Sequence, residues 1–550
     1  MFETRAHKKS GDEGMTNFSR TRGERAESIL AFGFPFSPMK LSPFTRLGVG
    51  PGVIEEVLRR VESRIVLVSR SVRYYRNHDR VLPQEHLLAC TGAAESADPV
   101  SHDEWDALGY MESVVLEMFG RHAYQVRREL KIPGHMVFED RRRQARNKMA
   151  YWLNLIKTRG ISGYINSNVP HLTDDLIAYE VCRSLGIPAV FPYRMPIVPG
   201  VSCRLYIPAA LFDHSRVRDQ HGRMVGVNDL PDSVARQPLP EDLALIYEKV
   251  VIGGMSLPEL SREVLQVRTS QLPAQWVRPV DGKRPGGVGS FVRALLKRDM
   301  AGLRGQRTLI RTERRNRADY LLLASTMPPD RPFVYFPLHM QPEASSCPLG
   351  GMFSDQLRAV RLIAHVLPEG WTVVVKEHPH QQLALRPVGW YDELLKSPNV
   401  QLASVEFSSA ELQRESRAVV TLTGAAAWEA WLWRKPALVL GHILFQEAPG
   451  IYKVRSREDA LRAIAAIAAG RVHSRQDIRD FLGRLAHLSF EGHLDAYIAP
   501  CMPLDTLAPE ANEREIGRRL ANALLCQGQE QEPPSAEQSS ASSLLVGAET

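Results

Sequence analysis

The chain has 550 residues, 44% hydrophobic and 24% charged, with 69 basic against 62 acidic side chains and a net charge of +7. That length accommodates two to four domains at roughly 100–200 residues each and buries sizeable cores without disulfide or metal staples. Six scattered cysteines with no C-x-x-C pair argue against a disulfide scaffold or a thiolate zinc site and for a reducing compartment, and no apolar run reaches the roughly 18 residues that span a bilayer.

The start, MFETRAHKKSGDEG, is charged and lacks the apolar core of a secretory signal, and Met15 is an alternative first residue. Residues 1–30 are polar and aperiodic, so a disordered segment is expected there. A helix is predicted near 53–62 and a strand at 65–72 (IVLVSRSV). Another strand follows at 163–169 (GYINSNV), then a helix at 173–186 and a strand at 188–194 (PAVFPYR). Gly48 and Gly52 open the first helix, but no good strand precedes them, so a dinucleotide fingerprint is not expected. The chain is irregular after 200, and 257–320 is a helical, arginine-rich link.

From 331 to 470 strands and helices alternate at short spacing. The predicted strands are FVYFPL (333–338), TVVVKEH (372–378), VQLAS (400–404), AVVTLTG (418–424) and PALVLG (436–441). Helices are predicted over 355–367, 388–396, 408–416, about 425–434 and 457–469. Nearly continuous apolar strands imply a parallel sheet covered on both faces. The domain reading is a first α/β lobe with its helical link over 31–320, a second over 321–500, a C-terminal helix over 501–526 and a disordered polar tail over 527–550. The fold class is therefore α/β, with two Rossmann-like lobes, parallel sheets and an interlobe cleft outside the carboxyl ends of the strands.

Only residues just past a strand's C-terminal end reach such a cleft. Lys376 and His378 end the second predicted strand of the later lobe, and Pro379 stops it. Thr421, Thr423 and Gly424 end the fourth strand where a helix begins, whose free N–H groups favour an anion. Glu429, about one turn in, suits ribose hydroxyls. His339, Glu343, Ser345 and Ser346 follow the first strand in a long loop closed by Gly350 and Gly351. In the first lobe, His171 and Asp174 lie where GYINSNV gives way to a helix. They are the candidates for taking an acceptor proton, with a helix cap as the competing reading for Asp174 and Glu343 as the rival base.

The segments YFPLHMQPEASSCPLGG, VVVKEHP and TLTGAAAWEAWLWRKPALVLG, in this order, resemble the capsule polysaccharide biosynthesis proteins. These are glycosyltransferase-like proteins that include 3-deoxy-manno-octulosonate (Kdo) transferases. The likeness covers about 331–455, with Ser345-Ser346 where the family carries Thr-Thr. It implies a GT-B architecture whose second lobe holds the nucleotide-sugar donor, with His378-Pro379 matching a pair that contacts the nucleotide phosphate in related sialyltransferases. The acidic catalytic motif of those relatives has no match in the first lobe.

The expected activity is transfer of a sugar from a nucleotide donor to a surface polysaccharide or its lipid-linked precursor, inverting and without metal or other cofactor. The resemblance favours a CMP-linked donor. The expected partners are that donor and a glycan or glycolipid acceptor, with a peripheral seat at the inner membrane or export machinery and no nucleic acid. The location expected is cytoplasmic. The rivals are a nucleotide-sugar 2-epimerase of the same fold and a non-catalytic nucleotide- or carbohydrate-binding assembly protein.

Overall fold

The computed structural model describes residues 28–32, 51–68, 81–84, 138–269, 300–494 and 509–527, apart from positions 172, 197, 199, 327–328 and 342. The N-terminal 27 residues, the tail from 528, and Cys90 and Cys501 lie outside the described residues.

Two parallel sheets organise the chain. The first is built from β1 (Ser28–Phe32), β2 (Arg64–Val68), β3 (Val81–Gln84), β4 (Ile161–Asn166) and β5 (Ala189–Val190), in the order β3-β2-β1-β4-β5. Ser28 to Leu30, expected within a disordered segment, instead begin its central strand. The run SILAF is buried along its whole length and pairs with β2 and β4, a gain in burial that outweighs the polar sequence just before it. PAVFPYR is not one strand. It breaks at Phe191 into β5 and β6 (Tyr193–Arg194), and β6 joins a separate antiparallel sheet with β7 (Arg204–Tyr206). β8 (Pro208–Ala210), β9 (Asp213–Arg218) and β10 (Met224–Gly226) form a third, antiparallel sheet in the region expected to be irregular.

The later lobe contains β11 (Phe333–Pro337), β12 (Thr372–Lys376), β13 (Val400–Ala403), β14 (Ala418–Thr421), β15 (Ala437–Val439) and β16 (Ile451–Lys453), in the order β13-β12-β11-β14-β15-β16. β16 adds a sixth strand to the five expected. All its pairings are parallel. Burial explains why these runs form strands: Phe333, Tyr335, Val374 and Val419 face one core, while Val334, Phe336, Val373, Val375 and Val420 face another. The period-two alternation fills both faces, so the sheet is sandwiched. The first of those cores is continuous with the first lobe through Tyr164, Tyr206 and Trp152. The strand order reverses at β11 and β14 in this lobe and at β1 and β4 in the other. Those are the switch points where a doubly wound sheet opens a crevice.

Seven helices position the site and its surroundings: α1 (Pro51–Arg60), α2 (Phe138–Thr158), α3 (Thr173–Ser184), α4 (Gln356–Val366), α5 (Ala425–Leu432), α6 (Arg475–Leu488) and α7 (Pro509–Gln527). The chain crosses back to the first lobe after the second. β17 (Phe490–Glu491) pairs with β7, Arg479 donates to the carbonyls of Ala235 and Gln237, and α7 packs along α1, where Gly517 lies against Val53 and Glu56. Residues 475–494, which the sequence reading placed in the second lobe, therefore sit with first-lobe elements, because the apolar face of α6 (Ile478, Phe481, Leu482, Leu485) closes the shared core. Cys182, Cys203, Cys347 and Cys526 are free thiols. No described helix is long and apolar enough to cross a membrane.

Candidate functional site

The tips of β11, β12 and β14 converge on a cavity of about 410 Å³. His339, Glu343 and Ser345 line it from the loop after β11, His378 from the end of β12, and Thr421, Thr423, Gly424, Ala425 and Ala426 from the turn into α5. Tyr193, Arg194, Met195 and Pro196 line it from the first lobe, so the cavity is interlobe. Sequence reasoning missed those first-lobe residues, of which Tyr193 and Arg194 form a two-residue strand too short to carry a period and Met195 and Pro196 follow it.

The turn from β14 to α5 is built by its own side chains. Thr421 Oγ1 accepts the Gly424 N–H at 3.2 Å, and Thr423 Oγ1 donates to the Ser345 carbonyl at 2.7 Å. The Thr423 N–H donates to His339 Nε2 at 3.3 Å. A Cβ at Gly424 would stand 2.7 Å from Thr421 Oγ1 and 3.2 Å from His339 Nε2. The glycine is thus demanded by the packing of this turn on His339. No side chain caps α5, which leaves the first turn's N–H groups facing the cavity at Ala425 and Ala426.

His339 is buried, and desolvation, with smaller contributions from neighbouring His378 and the Arg386 guanidinium, pushes its imidazole down to about 3. The ring is therefore neutral. Because Nε2 accepts from a backbone amide, the proton sits on Nδ1, which has no hydrogen-bond partner among the described residues. His378 is half-buried. Its Nδ1 accepts the His380 N–H at 3.2 Å, so the neutral ring carries its hydrogen on Nε2. Burial and then His380 lower its pKa, while Glu343 and Glu377 act the other way.

A buried network holds the loop after β11. Glu377 and Arg386 pair through two hydrogen bonds of 3.0 and 2.9 Å with both side chains almost wholly buried, and Tyr391 Oη donates to the same carboxylate at 2.9 Å. Arg386 also donates to the His339 carbonyl at 3.1 Å and to Gln341 Oε1 at 2.6 Å. Gln356 clamps His339 from α4, accepting its N–H at 2.7 Å and donating to its carbonyl at 3.1 Å. Nothing in the sequence marks Arg386 or Gln356 as partners of this loop.

Several expected residues lie elsewhere. Lys376 turns away from the cavity, its ammonium bonded to the Phe407 carbonyl and to Ser409 Oγ at 2.9 Å, because period two along β12 sends it to the opposite face from Val375. Ser346 is wholly buried and spends its hydroxyl on the carbonyls of Glu343 and Met340. Glu429 does not line the cavity. It accepts from Gln413 Nε2 at 3.0 Å, and burial raises its pKa. Asp174 is half of a buried ion pair with Lys148 at 2.7 Å and also accepts from Trp152 Nε1, which ties it into the core away from the cavity lining. His171 donates through Nδ1 to the Val169 carbonyl at 2.7 Å and is not among the cavity's lining. That leaves Glu343, which accepts from Ser345 Oγ at 2.6 Å, as the one carboxylate among the described residues lining the cavity. No group of three or more metal-ligating side chains occurs among the described residues.

The chain is similar to several solved structures. Thermosulfurimonas dismutans KpsC, a beta Kdo 2,7 transferase, is 12% identical with a TM-score of 0.24, covering 60% of this chain and 88% of that one. The UDP-GlcNAc 2-epimerase from Methanocaldococcus jannaschii is 10% identical with a TM-score of 0.22, covering 80% and 92%. A glycosyltransferase from Rickettsia africae is 8% identical with a TM-score of 0.22, covering 87% and 96%. No family model and no curated protein matches the chain.

Proposed function

We propose that the chain is a glycosyltransferase that moves a sugar from a nucleotide donor, CMP-linked by the resemblance in sequence, to a surface polysaccharide or its lipid-linked precursor. The observation that carries the reading is the meeting, in one interlobe cavity at the switch point, of an uncapped helix N-terminus with a neutral, N–H-bearing His378 and a single carboxylate.

Transfer develops positive charge on the sugar ring and negative charge on the departing phosphate. The α5 N–H groups at Ala425 and Ala426 and the His378 Nε2–H would take the phosphate oxygens. His339, fixed by Thr423 and Gln356, holds the β14–α5 turn against the β11 loop and keeps those donors in place. Glu343 would accept the proton of the attacking hydroxyl, and Tyr193 and Arg194 would present the acceptor from the first lobe. The acceptor side is thus assigned to the first lobe and the donor side to the second.

The test is product analysis with radiolabelled nucleotide sugars, with and without an oligosaccharide acceptor. Acceptor-dependent label in the glycan is expected. Conversion of the nucleotide sugar to its 2-epimer without acceptor would replace transfer by epimerisation, and nucleotide binding with no turnover would make the chain an assembly protein.

A further inference from the structure

A larger concavity, of about 670 Å³, opens at the other end of the same sheet. It meets Phe333, the first residue of β11, whereas the interlobe cavity meets Pro337, the last, so one strand of about 13 Å separates the two. Six cationic side chains line it, Arg331, Arg414, Arg417, Arg434, Lys435 and Arg471, against one carboxylate, Glu415. The five arginines are exposed. Among the described residues no hydrogen bond or ion pair engages the guanidinium of Arg331, Arg417 or Arg471, whereas arginines elsewhere on this surface, such as Arg361 and Arg462, are paired with Glu393 and Asp459.

The backbone is arranged to keep the charge there. α5 ends in a Schellman motif, with the Arg434 N–H on the Trp431 carbonyl and the Lys435 N–H on that of Ala430. The left-handed position of that motif, usually glycine, is Arg434 at φ 61°, the only non-glycine with positive φ in the described chain. Its Nε donates to the His473 carbonyl at 3.1 Å, which orients the rest of the guanidinium. Lys435 is half-buried and donates to the carbonyls of Arg414 and Ser416, and burial, then Arg417, bring its pKa down to about 8. Arg414 lies over the Trp433 ring at 4.8 Å. Planar guanidinium groups gathered around a concavity match the oxygens of phosphate in a bidentate way that scattered lysines do not.

We propose that this mouth, at the amino ends of the second lobe's strands, binds several phosphate charges at once, carried by one polyphosphate or by adjacent headgroups, at a site separate from the interlobe cavity. The phosphate belongs either to a soluble anion or to a lipid headgroup, and both present the same oxygens. In the second case the interlobe cavity faces away from the bilayer, since it lies at the opposite end of the strands.

Calorimetric titration of the full chain with tripolyphosphate, and cosedimentation with vesicles of phosphatidylglycerol or of phosphatidylcholine, test this. Binding that weakens as salt rises is expected with tripolyphosphate or with phosphatidylglycerol. It should fall at least about tenfold in Arg417→Gln/Arg471→Gln, and stay unchanged in Arg358→Gln/Arg457→Gln, which removes two exposed arginines elsewhere on the lobe. Tripolyphosphate binding alone assigns a soluble anion, and phosphatidylglycerol binding assigns the headgroup. The proposal is overturned if neither probe binds, if the two double variants behave alike, or if binding is lost in His378→Ala and kept in Arg417→Gln/Arg471→Gln. The last outcome would put the phosphate in the interlobe cavity. Nucleotide titration of Arg417→Gln/Arg471→Gln reads that cavity separately and should match the wild type.

Discussion

Thr423 donates its backbone N–H to Nε2 of His339, joining the tips of two neighbouring strands across the switch point of the second sheet. One bond thereby fixes the tautomer of a buried imidazole and the start of the helix that follows. The turn that brings Ala425 and Ala426 to the cavity rests on that joint.

Gly424→Ala probes the joint directly. The added methyl cannot avoid Thr421 Oγ1 and the His339 ring together, and the β14–α5 turn must shift by a few tenths of an ångström. Nucleotide affinity is expected to fall about tenfold or more, the scale of one charge-assisted hydrogen bond, with the far-UV circular dichroism unchanged. Affinity equal to wild type would show that the turn does not position the donors.

Arg386→Met should be more damaging to the fold than its distance from solvent chemistry suggests. It leaves the Glu377 carboxylate buried with only Tyr391 Oη and an amide for company. Loss of one partner of such a pair costs about 3–5 kcal/mol. The double variant Glu377→Gln/Arg386→Met is expected to recover part of that in urea unfolding. A double variant no better than the single one would contradict the reading of Glu377 as an uncompensated charge.

Asp174→Asn and Glu343→Gln separate structure from chemistry. The first breaks the buried pair with Lys148 and should lower the unfolding midpoint while the folded fraction keeps its turnover rate. The second should leave stability and nucleotide affinity near wild type and slow turnover by about a hundredfold, the scale of general-base loss. The reverse pattern in the two variants would return the base to the first lobe.

The architecture was legible because the second sheet is buried on both faces. Runs such as TVVVK and AVVT leave little choice of element or of parallel pairing. His339, His378, Thr421, Thr423 and Gly424 were legible for the same reason, since a strand end fixes where a residue must be. What lay beyond the strand ends was not. Lys376 and Ser346 are a residue or a turn away from the cavity lining, and their direction depends on the pleat and on a backbone turn. Arg386 reaches His339 from 47 positions away, a contact without any local period. Strand β1 follows a polar run and was missed because its pairing partners, not its flanks, make it a strand.

Acid should weaken the fold before it weakens any ion pair. His214, His339 and His442 are each held down to about 3, chiefly by burial. In the folded chain they stay neutral while the unfolded chain takes up protons near the ordinary histidine value. Their stabilisation is complete above about pH 6.5 and is lost as pH falls from there toward 3, on the order of 1 kcal/mol each by pH 5.5. His214 also relays the lobe contact in which the Leu444 N–H donates to Tyr206 Oη and that hydroxyl to His214 Nδ1. The unfolding midpoint in urea should therefore drop between pH 7 and pH 5.5, and His214→Asn should show a shallower drop. A midpoint independent of pH in that interval would contradict the neutral state of these rings.

The most direct measurement is calorimetric titration of CMP, UDP and GDP into the wild type and into His378→Ala. Tight binding of one nucleotide by the wild type, weakened about tenfold or more in a variant of unchanged melting temperature, is the predicted result. Equal affinity in both proteins, or no binding of any nucleotide to either, would contradict a phosphate site at the strand tips.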